Sequence, residues 1–466
     1  MFVSTGMTNL GRALRDAGLA ASLPLAACSS GNVEAAGAAD ARIGASSIAD
    51  PGGVIARAAT PIRGVASDYD ALIATSGESR FVLLGEATHG TSEFYRERAR
   101  ISMRLVREKG FRAIVIEGDW PDTGRVNNYV RGLGNDRSAE AALGDFADFP
   151  RWMWRNAEFR DFVEDLRVHN MSLPAAQRVG VYGMDVYNMF GAADAVVSYL
   201  ETVDRPAAAQ ARAQYRCFDR YRPDMASYGA AARRPGKACR AQAEAVLAQV
   251  RTRPRPGDPL AAEAFFSALR SAASVVGAEE YFRIAYSGDN AWNVRDRRMA
   301  TTVTEVADHI AALSGAPGKV VVWAHNSHVG DARATDMTSR GELNLGQLMR
   351  ERFGNAVFLL GFTTYDGTVI AADEWGGPHR LHVLNRARPD SYAGLFHAAG
   401  VGNGLLLLQQ GSEVSKALDT PRAKREIGVI YARATEGPSH YTRARLSRQF
   451  DAVIHWDRTR GVSPLP

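Results

Sequence analysis

Eight short apolar runs constrain this chain more than any other feature. They are FVLLG (81–85), RAIVIE (112–117), RVGVYG (178–183), KVVVWAH (319–325), NAVFLLGF (355–362), GLLLLQQ (404–410), EIGVIY (426–431) and DAVIH (451–455). Each is an uninterrupted hydrophobic stretch bounded by polar residues or glycine, as expected of strands covered on both faces, and helical patterns lie between many of them. The runs predict an α/β fold with a central, mostly parallel sheet flanked by helices. The first unit is the clearest: a strand at 81–84, a helical period from Ser92 to Lys109, a stop at Gly110 and a new strand from Arg112, in the order of a right-handed crossover. Between about 190 and 300 the strand signal disappears. Segments rich in Ala, Arg and Gln with helical period replace it, which predicts a helical insertion covering the active edge of the sheet as a lid or cap. With 466 residues, 46% of them hydrophobic, the chain can bury a large core as one domain with this insertion, or as two domains.

The net charge of +5 and a pI near 9.1 would suit a nucleic-acid partner. However, 51 of the 56 basic residues are arginine, spread along the whole chain among 51 acids, so no phosphate-binding stripe forms and no nucleic-acid partner is expected. At the N-terminus Arg12 and Arg15 precede AGLAASLPLAA, which ends at Cys28 as Leu-Ala-Ala-Cys. Residues 1–28 thus resemble a bacterial lipoprotein signal, with Cys28 lipidated and the protein membrane-attached in the periplasm. Asp16 and the residues before Met7 favour the alternative, a disordered or helical extension on a cytoplasmic protein. Residues 29–60 read as a linker rich in Ala, Gly, Ser and Asp, and the ordered domain is expected over 61–466. No later apolar run is long enough to cross a bilayer. Cys217 and Cys239 could close one loop in an oxidising compartment, or stay reduced in the core.

Open parallel sheets bind ligands beyond the carboxyl ends of their strands. Four of the predicted strands end in titratable residues. FVLL leads to Gly85, Glu86 and His89; RAIVI to Glu117 and Asp119; VGVYG to Asp185; VVVWA to His325 and His328. Any one of these is more simply a loop residue, but four sets in equivalent positions indicate a shared crevice. Arg98 adds an independent observation. Phe94, Arg98, Ile101 and Leu105 fall on one helical stripe, so the arginine faces the sheet, where it needs an anion from Glu86 or Glu117 unless it snorkels to water. The other common signatures are absent: Gly90-Thr91-Ser92-Glu93-Phe94 lacks the second glycine of a nucleophile elbow, and there is no P-loop, dinucleotide fingerprint or H-E-x-x-H helix. Histidine and carboxylate without a nucleophile suit general-base activation of water.

GEATHG and its arginine-bearing helix, IVIEGDWPD, VNNYVRG, VYGMDVY, WNVRDRRMA, VVVWAHNSHVGD and PSHYTRARLSRQFDAVIHWDRTR occur in that order. From roughly Pro61 to the end, the chain resembles the erythromycin esterase family. The resemblance implies an α/β hydrolase distinct from the serine hydrolases, with a cleft between sheet and helical parts, that opens the lactone of 14-membered macrolides and so inactivates the antibiotic. It places the general base at His89, supporting carboxylates at Glu86 and Glu117, the active-site arginine at Arg98 and a second histidine pair at His325 and His328. Oxyanion stabilisation falls to Arg98 or His325, and the pattern leaves the choice open. Trp120 and Asp185 are weaker candidates to line the cleft and bind substrate, with packing and loop capping as the alternatives. His440 and Tyr441 are read as surface or structural residues, and Asp289 and the run Arg295-Asp296-Arg297-Arg298 as a structural salt-bridge network at a helix start.

No cofactor is expected. The runner-up is a divalent metal held by the histidines and glutamates, with a metal-bound water as nucleophile. The expected partner is a small-molecule ester or lactone. A related hydrolase acting on another ester, lactone or amide, and a binding protein that has lost the chemistry, are the remaining alternatives.

Overall fold

The structure, a computed structural model, describes residues 50–466. Cys28, the signal-like segment and most of the stretch read as linker lie outside the described residues. Eleven strands occur among the described residues: β1 Thr60–Pro61, β2 Phe81–Leu84, β3 Ala113–Asp119, β4 Gly180–Asp185, β5 Val320–Trp323, β6 Val357–Ala372, β7 His379–Val383, β8 Gly404–Leu407, β9 Arg422–Arg425, β10 Tyr441–Ala444 and β11 Ala452–Thr459. Nine of them form one sheet in the order β1-β8-β11-β6-β2-β5-β3-β4, with β7 on the far half of β6; β9 and β10 make a separate antiparallel pair. The pairings from β11 through β6, β2, β5 and β3 to β4 are all parallel, and β1, β8 and β7 add antiparallel ones. The expected α/β architecture with a mostly parallel sheet is present.

Side chains alternate across a strand, so the apolar runs feed two cores. Val82, Leu84, Ile114, Ile116, Val321 and Trp323 point to one layer with Phe94, Ile101 and Leu105 of the Ser92–Lys109 helix. Phe81, Leu83, Val115, Val320 and Val322 point to the other, with Met299, Val303 and Val306 of the Ala291–Ser314 helix. The crossover from β2 does not end beside it: β5 pairs with both β2 and β3 and lies between them. This insertion of a late strand brings the carboxyl ends of β2, β5, β3 and β4 into one row.

Three expectations need correction. EIGVIY is not a strand; it makes only single bridges, Ile427 to Thr88 and Ile430 to Ala372. Its apolar residues Ile427 and Tyr431 instead pack with Val369 and Ala371 of the far half of β6 and with Leu384 in a small cluster. The stretch read as linker ends in a helix, Pro51–Ala58, because Asp50 caps it by accepting the Gly53 N–H at 2.8 Å, Pro51 occupies its first turn, and Val54 and Ile55 are buried. Finally, the helix Pro259–Ala285 has the length and hydropathy of a membrane span, but 67% of its most apolar window is packed inside the protein.

The strand-free region extends from Met189 to Ser314 and contains six helices. Five of them, Met189–Val203, Arg205–Asp219, Met225–Ala232, Arg240–Arg251 and Pro259–Ala285, share a core of their own. A Cys217–Cys239 disulfide closes the loop around the Met225–Ala232 helix. The sixth, Ala291–Ser314, returns to pack on the sheet and leads into β5.

Candidate active site

The loop after β2 is shaped by two close approaches. A Cβ on Gly85 would lie 2.1 Å from Asn326 Oδ1, and one on Gly90 would lie 1.9 Å from the Ile370 carbonyl oxygen, so only glycine fits either place. The Ile427 backbone pins the same loop, donating its N–H to Ala87 and accepting the His89 N–H. Between these anchors Glu86 is wholly buried and shares its two oxygens. His89 donates Nδ1–H to Oε1 at 2.8 Å, and Arg98 donates Nη2–H to Oε2 at 2.7 Å. Arg98 is also wholly buried, its guanidinium over the rings of Tyr95 (4.5 Å) and Trp323 (4.9 Å). Of the two anions expected for it, Glu86 is the partner, and the arginine does not snorkel to water.

At the end of β3, Glu117 accepts the His325 backbone N–H on Oε2 at 2.8 Å and Arg295 Nη2–H on Oε1 at 2.8 Å, with His328 Nε2 3.3 Å from Oε1. Burial pushes the Glu117 carboxyl up, but the fields of His328, His89 and Arg295 and the His325 N–H outweigh it and hold its pKa well below the usual carboxylate range. His325 caps the short helix Asn326–Val329, its Nδ1 accepting from Ser327 N–H at 3.3 Å and lying 2.8 Å from Ser327 Oγ. Burial first, then His89, lowers the His325 pKa to about 3. The ring is therefore neutral at physiological pH, with its proton on Nε2, and that nitrogen is buried without a partner. The His89 and His325 rings lie 4.9 Å apart between centroids, their planes inclined at 49°. These two histidines are 7% and 4% exposed, and behind them Arg98 Nε and Nη1 are likewise buried without a hydrogen-bond partner.

Arg295, read from sequence as part of a structural network, is the hub of the far side. Its Nε and Nη2 grip both oxygens of Asp185 at 2.8 and 2.5 Å, Nη2 also reaches Glu117, and Nη1 lies 2.8 Å from His328 Nε2. Asp296, also read as structural, accepts His328 Nδ1–H at 2.9 Å. One guanidinium from the helical insertion thus joins the ends of β3, β4 and β5. Positions 295 and 296 follow Trp292 by three and four residues, a helical-face spacing that is the available signal.

The expected substrate contacts are placed differently. Trp120 is buried, stacked on Tyr182 (5.7 Å) and edge-on to Phe266, with its Nε1–H given to the Ser267 carbonyl at 3.2 Å, so packing accounts for it. Asp185 is fully engaged by Arg295 and by its neighbour Val186 N–H. His440 and Tyr441 belong to the β9–β10 region, where Tyr441 donates to Glu436 and the His440 carbonyl accepts the Glu426 N–H. Closer to the histidines lies a pair that sequence reasoning missed: Glu426, whose carboxylate meets Lys424 Nζ at 2.6 Å and accepts from Thr442 Oγ1 at 2.8 Å. No run or spacing singled it out, because it enters from a connection read as a strand. Asp119, at the end of β3, accepts the Tyr187 N–H at 2.6 Å and anchors the chain leaving β4.

For a metal, the donor set is thin. Glu117, Glu86 and His328 are committed to protein partners, and among the described residues no group of three or more His, Cys, Asp and Glu side chains is arranged to hold an ion.

Comparisons with known proteins bear on the family and the fold. A family model described as Erythromycin esterase matches residues 106–459, a span that includes Glu117, Asp185, Arg295, His325 and His328 but begins after Glu86, His89 and Arg98. The Escherichia coli protein named Erythromycin esterase type II is 22% identical over 321 residues, covering 65% of this chain and 73% of that protein. A Bacillus cereus protein superimposes with a TM-score of 0.74 at 18% identity, covering 90% of this chain and 99% of that one. A succinoglycan biosynthesis protein gives 0.72 at 20%, covering 89% and 98%. A mutant of the erythromycin esterase EreC in its open conformation gives 0.61 at 18%, covering 84% and 94%. These structural likenesses establish the shared fold.

Proposed function

The chain belongs to the erythromycin esterase family, and from that premise we propose that it hydrolyses the ester of a 14-membered macrolide lactone with water activated by His89. The observation that carries the reading is the pairing of one histidine whose free nitrogen accepts with another whose free nitrogen donates. Glu86 takes the Nδ1 proton of His89, leaving the Nε2 lone pair to remove a proton from water. His325, held neutral with Nδ1 accepting from Ser327, offers an unpartnered Nε2–H to the oxyanion that forms when that water adds to the ester carbonyl. The imidazolium formed at His89 then returns the proton to the departing alkoxide as the carbon–oxygen bond breaks. The products are a hydroxyl and a carboxylic acid, with one water consumed.

Arg98 has no route to the substrate in this scheme. It lies behind Glu86 and fixes the carboxylate that orients His89, so oxyanion stabilisation is assigned to His325. Glu117 fixes the His325 backbone and, through Arg295, the helical insertion. This chemistry uses no cofactor. The Cys217–Cys239 disulfide supports the exported reading over the cytoplasmic one, since such bonds persist in oxidising compartments; palmitate labelling that disappears in Cys28→Ala tests it.

Erythromycin incubated with the protein should gain the mass of one water, and His89→Ala should abolish the gain. No gain with several 14-membered macrolides would refute the substrate assignment and leave another ester or lactone as substrate.

A further inference from the structure

The Ala291–Ser314 helix presents Trp292, Arg295 and Asp296 at i, i+3 and i+4, on one face, and all three touch a single ring. Trp292 stacks flat on His328, with centroids 4.4 Å apart and planes 12° from parallel. Asp296, fully buried, takes the Nδ1 proton at 2.9 Å, and Arg295 Nη1 meets Nε2 at 2.8 Å. The three are themselves pinned. Trp292 donates Nε1–H to the Leu343 carbonyl at 2.8 Å, Asp296 Oδ1 accepts the Leu345 N–H at 2.8 Å, and Arg295 is tied to Asp185 and Glu117.

We propose that Trp292 and Asp296 are positioning residues of the hydrolytic site, forming with Arg295 a cradle that fixes the plane and tautomer of His328. Through His328 they set Glu117, and through Glu117 the backbone of His325. The inference rests on the reading of His325 as the oxyanion donor. It assigns the helical insertion a function: its last helix holds one side of the reacting edge.

The chemistry of the cradle is specific. With Nδ1–H given to Asp296, a neutral ring accepts from Arg295 at Nε2. A protonated ring instead directs Nε2–H to Glu117 Oε1, 3.3 Å away, without changing its Nδ1 partner. The ionisable groups facing the ring are therefore Asp296, Arg295 and Glu117. Burial opposes the charged form, but Asp296 and Glu117 outweigh it and raise the pKa above the ordinary histidine value. The Trp292 face lies against the ring, where an indole stabilises a cation. An aliphatic side chain at 292 would fill space without that effect, whereas phenylalanine would retain a flat π-face.

The test uses the full chain with Trp292→Phe, Trp292→Leu and Asp296→Asn. On a hydrolysed ester, Asp296→Asn and Trp292→Leu should each lower kcat at least tenfold with KM within twofold of the parent. Trp292→Phe should restore most of the rate lost in Trp292→Leu. A second arm needs no substrate. The fluorescence difference between the parent and Trp292→Phe should titrate with pH, because a charged imidazole quenches a stacked indole, and His328→Gln should remove that titration. Parental kcat in Trp292→Leu and Asp296→Asn overturns the proposal, as does a Trp292 signal indifferent to pH or unchanged by His328→Gln. If no ester is turned over by the parent, the functional reading fails, and the fluorescence arm alone decides whether the cradle exists.

Discussion

Replacing Arg98 by methionine isolates the contact on which the acid–base pair depends. Arg98 and Glu86 are both wholly buried and joined at 2.7 Å, and the guanidinium sits between Tyr95 and Trp323. Methionine fills that slot with an apolar stem, so the loss is chiefly the charge. It leaves the Glu86 carboxylate in a dry site with only His89 as partner, and breaking a buried pair from one side costs about 3–5 kcal/mol. Folded domains hold only about 5–15 kcal/mol in total, so the effect is large and measurable by urea unfolding. Glu86→Gln alone strands the arginine instead and should cost a similar amount. The double variant removes both charges and should be less destabilised than the sum of the singles by about 2 kcal/mol or more, since an ion pair replaced on both sides is close to neutral. Hydrolysis should be lost in all three, because His89 no longer has an anchored carboxylate. A cost below about 1 kcal/mol for Arg98→Met, or simple additivity in the double variant, would refute the argument, for it would mean the guanidinium is solvated and Glu86 is held by something else.

Other outcomes follow from the same geometry. His325, its pKa lowered by burial from the ordinary histidine value of about 6.5 to about 3, binds its proton more readily unfolded than folded, so stability is lost as pH falls below about 6.5. Its share of the change between pH 6.5 and 5 is about 1–2 kcal/mol, and His325→Asn should flatten that part of the unfolding profile; an unchanged slope would contradict a buried neutral ring. Labelling of denatured, unreduced protein should find neither Cys217 nor Cys239 free, and reduction should lower the melting temperature of the helical insertion, at a cost of about 3 kcal/mol, while the parental kcat survives. Chelation with EDTA should leave hydrolysis intact; activity lost and then restored by one particular metal would replace the general-base reading with a metal-bound water.

What could be read from the linear chain was local. FVLL, AIVI, VGVY and VVVW are strands because continuous apolar runs of that length are stable only when covered on both faces, and β2, β3, β4 and β5 are where those runs stand. The residues following each run identified Glu86, His89, Glu117, His325 and His328 as neighbours, since the ends of parallel strands share one edge. The helical period turned Arg98 inward, and Glu86 is there to meet it.

Tertiary structure decided everything that depends on which distant segments meet. It seated β5 between β2 and β3, gave Arg98 to Glu86 alone, and carried Arg295 and Asp296 from the insertion to Glu117, Asp185 and His328. It also laid EIGVIY across the loop after β2 as a connection, although its composition is that of a strand, because it meets Thr88 in that loop and Ala372 at the end of β6 through single bridges and builds no ladder with either. The physical reason is the range of each cause. Burial pattern and helical period act over a few residues and are written along the chain, whereas a hydrogen bond across 178 positions, as between Arg295 and Glu117, exists only after folding has closed the loop between them.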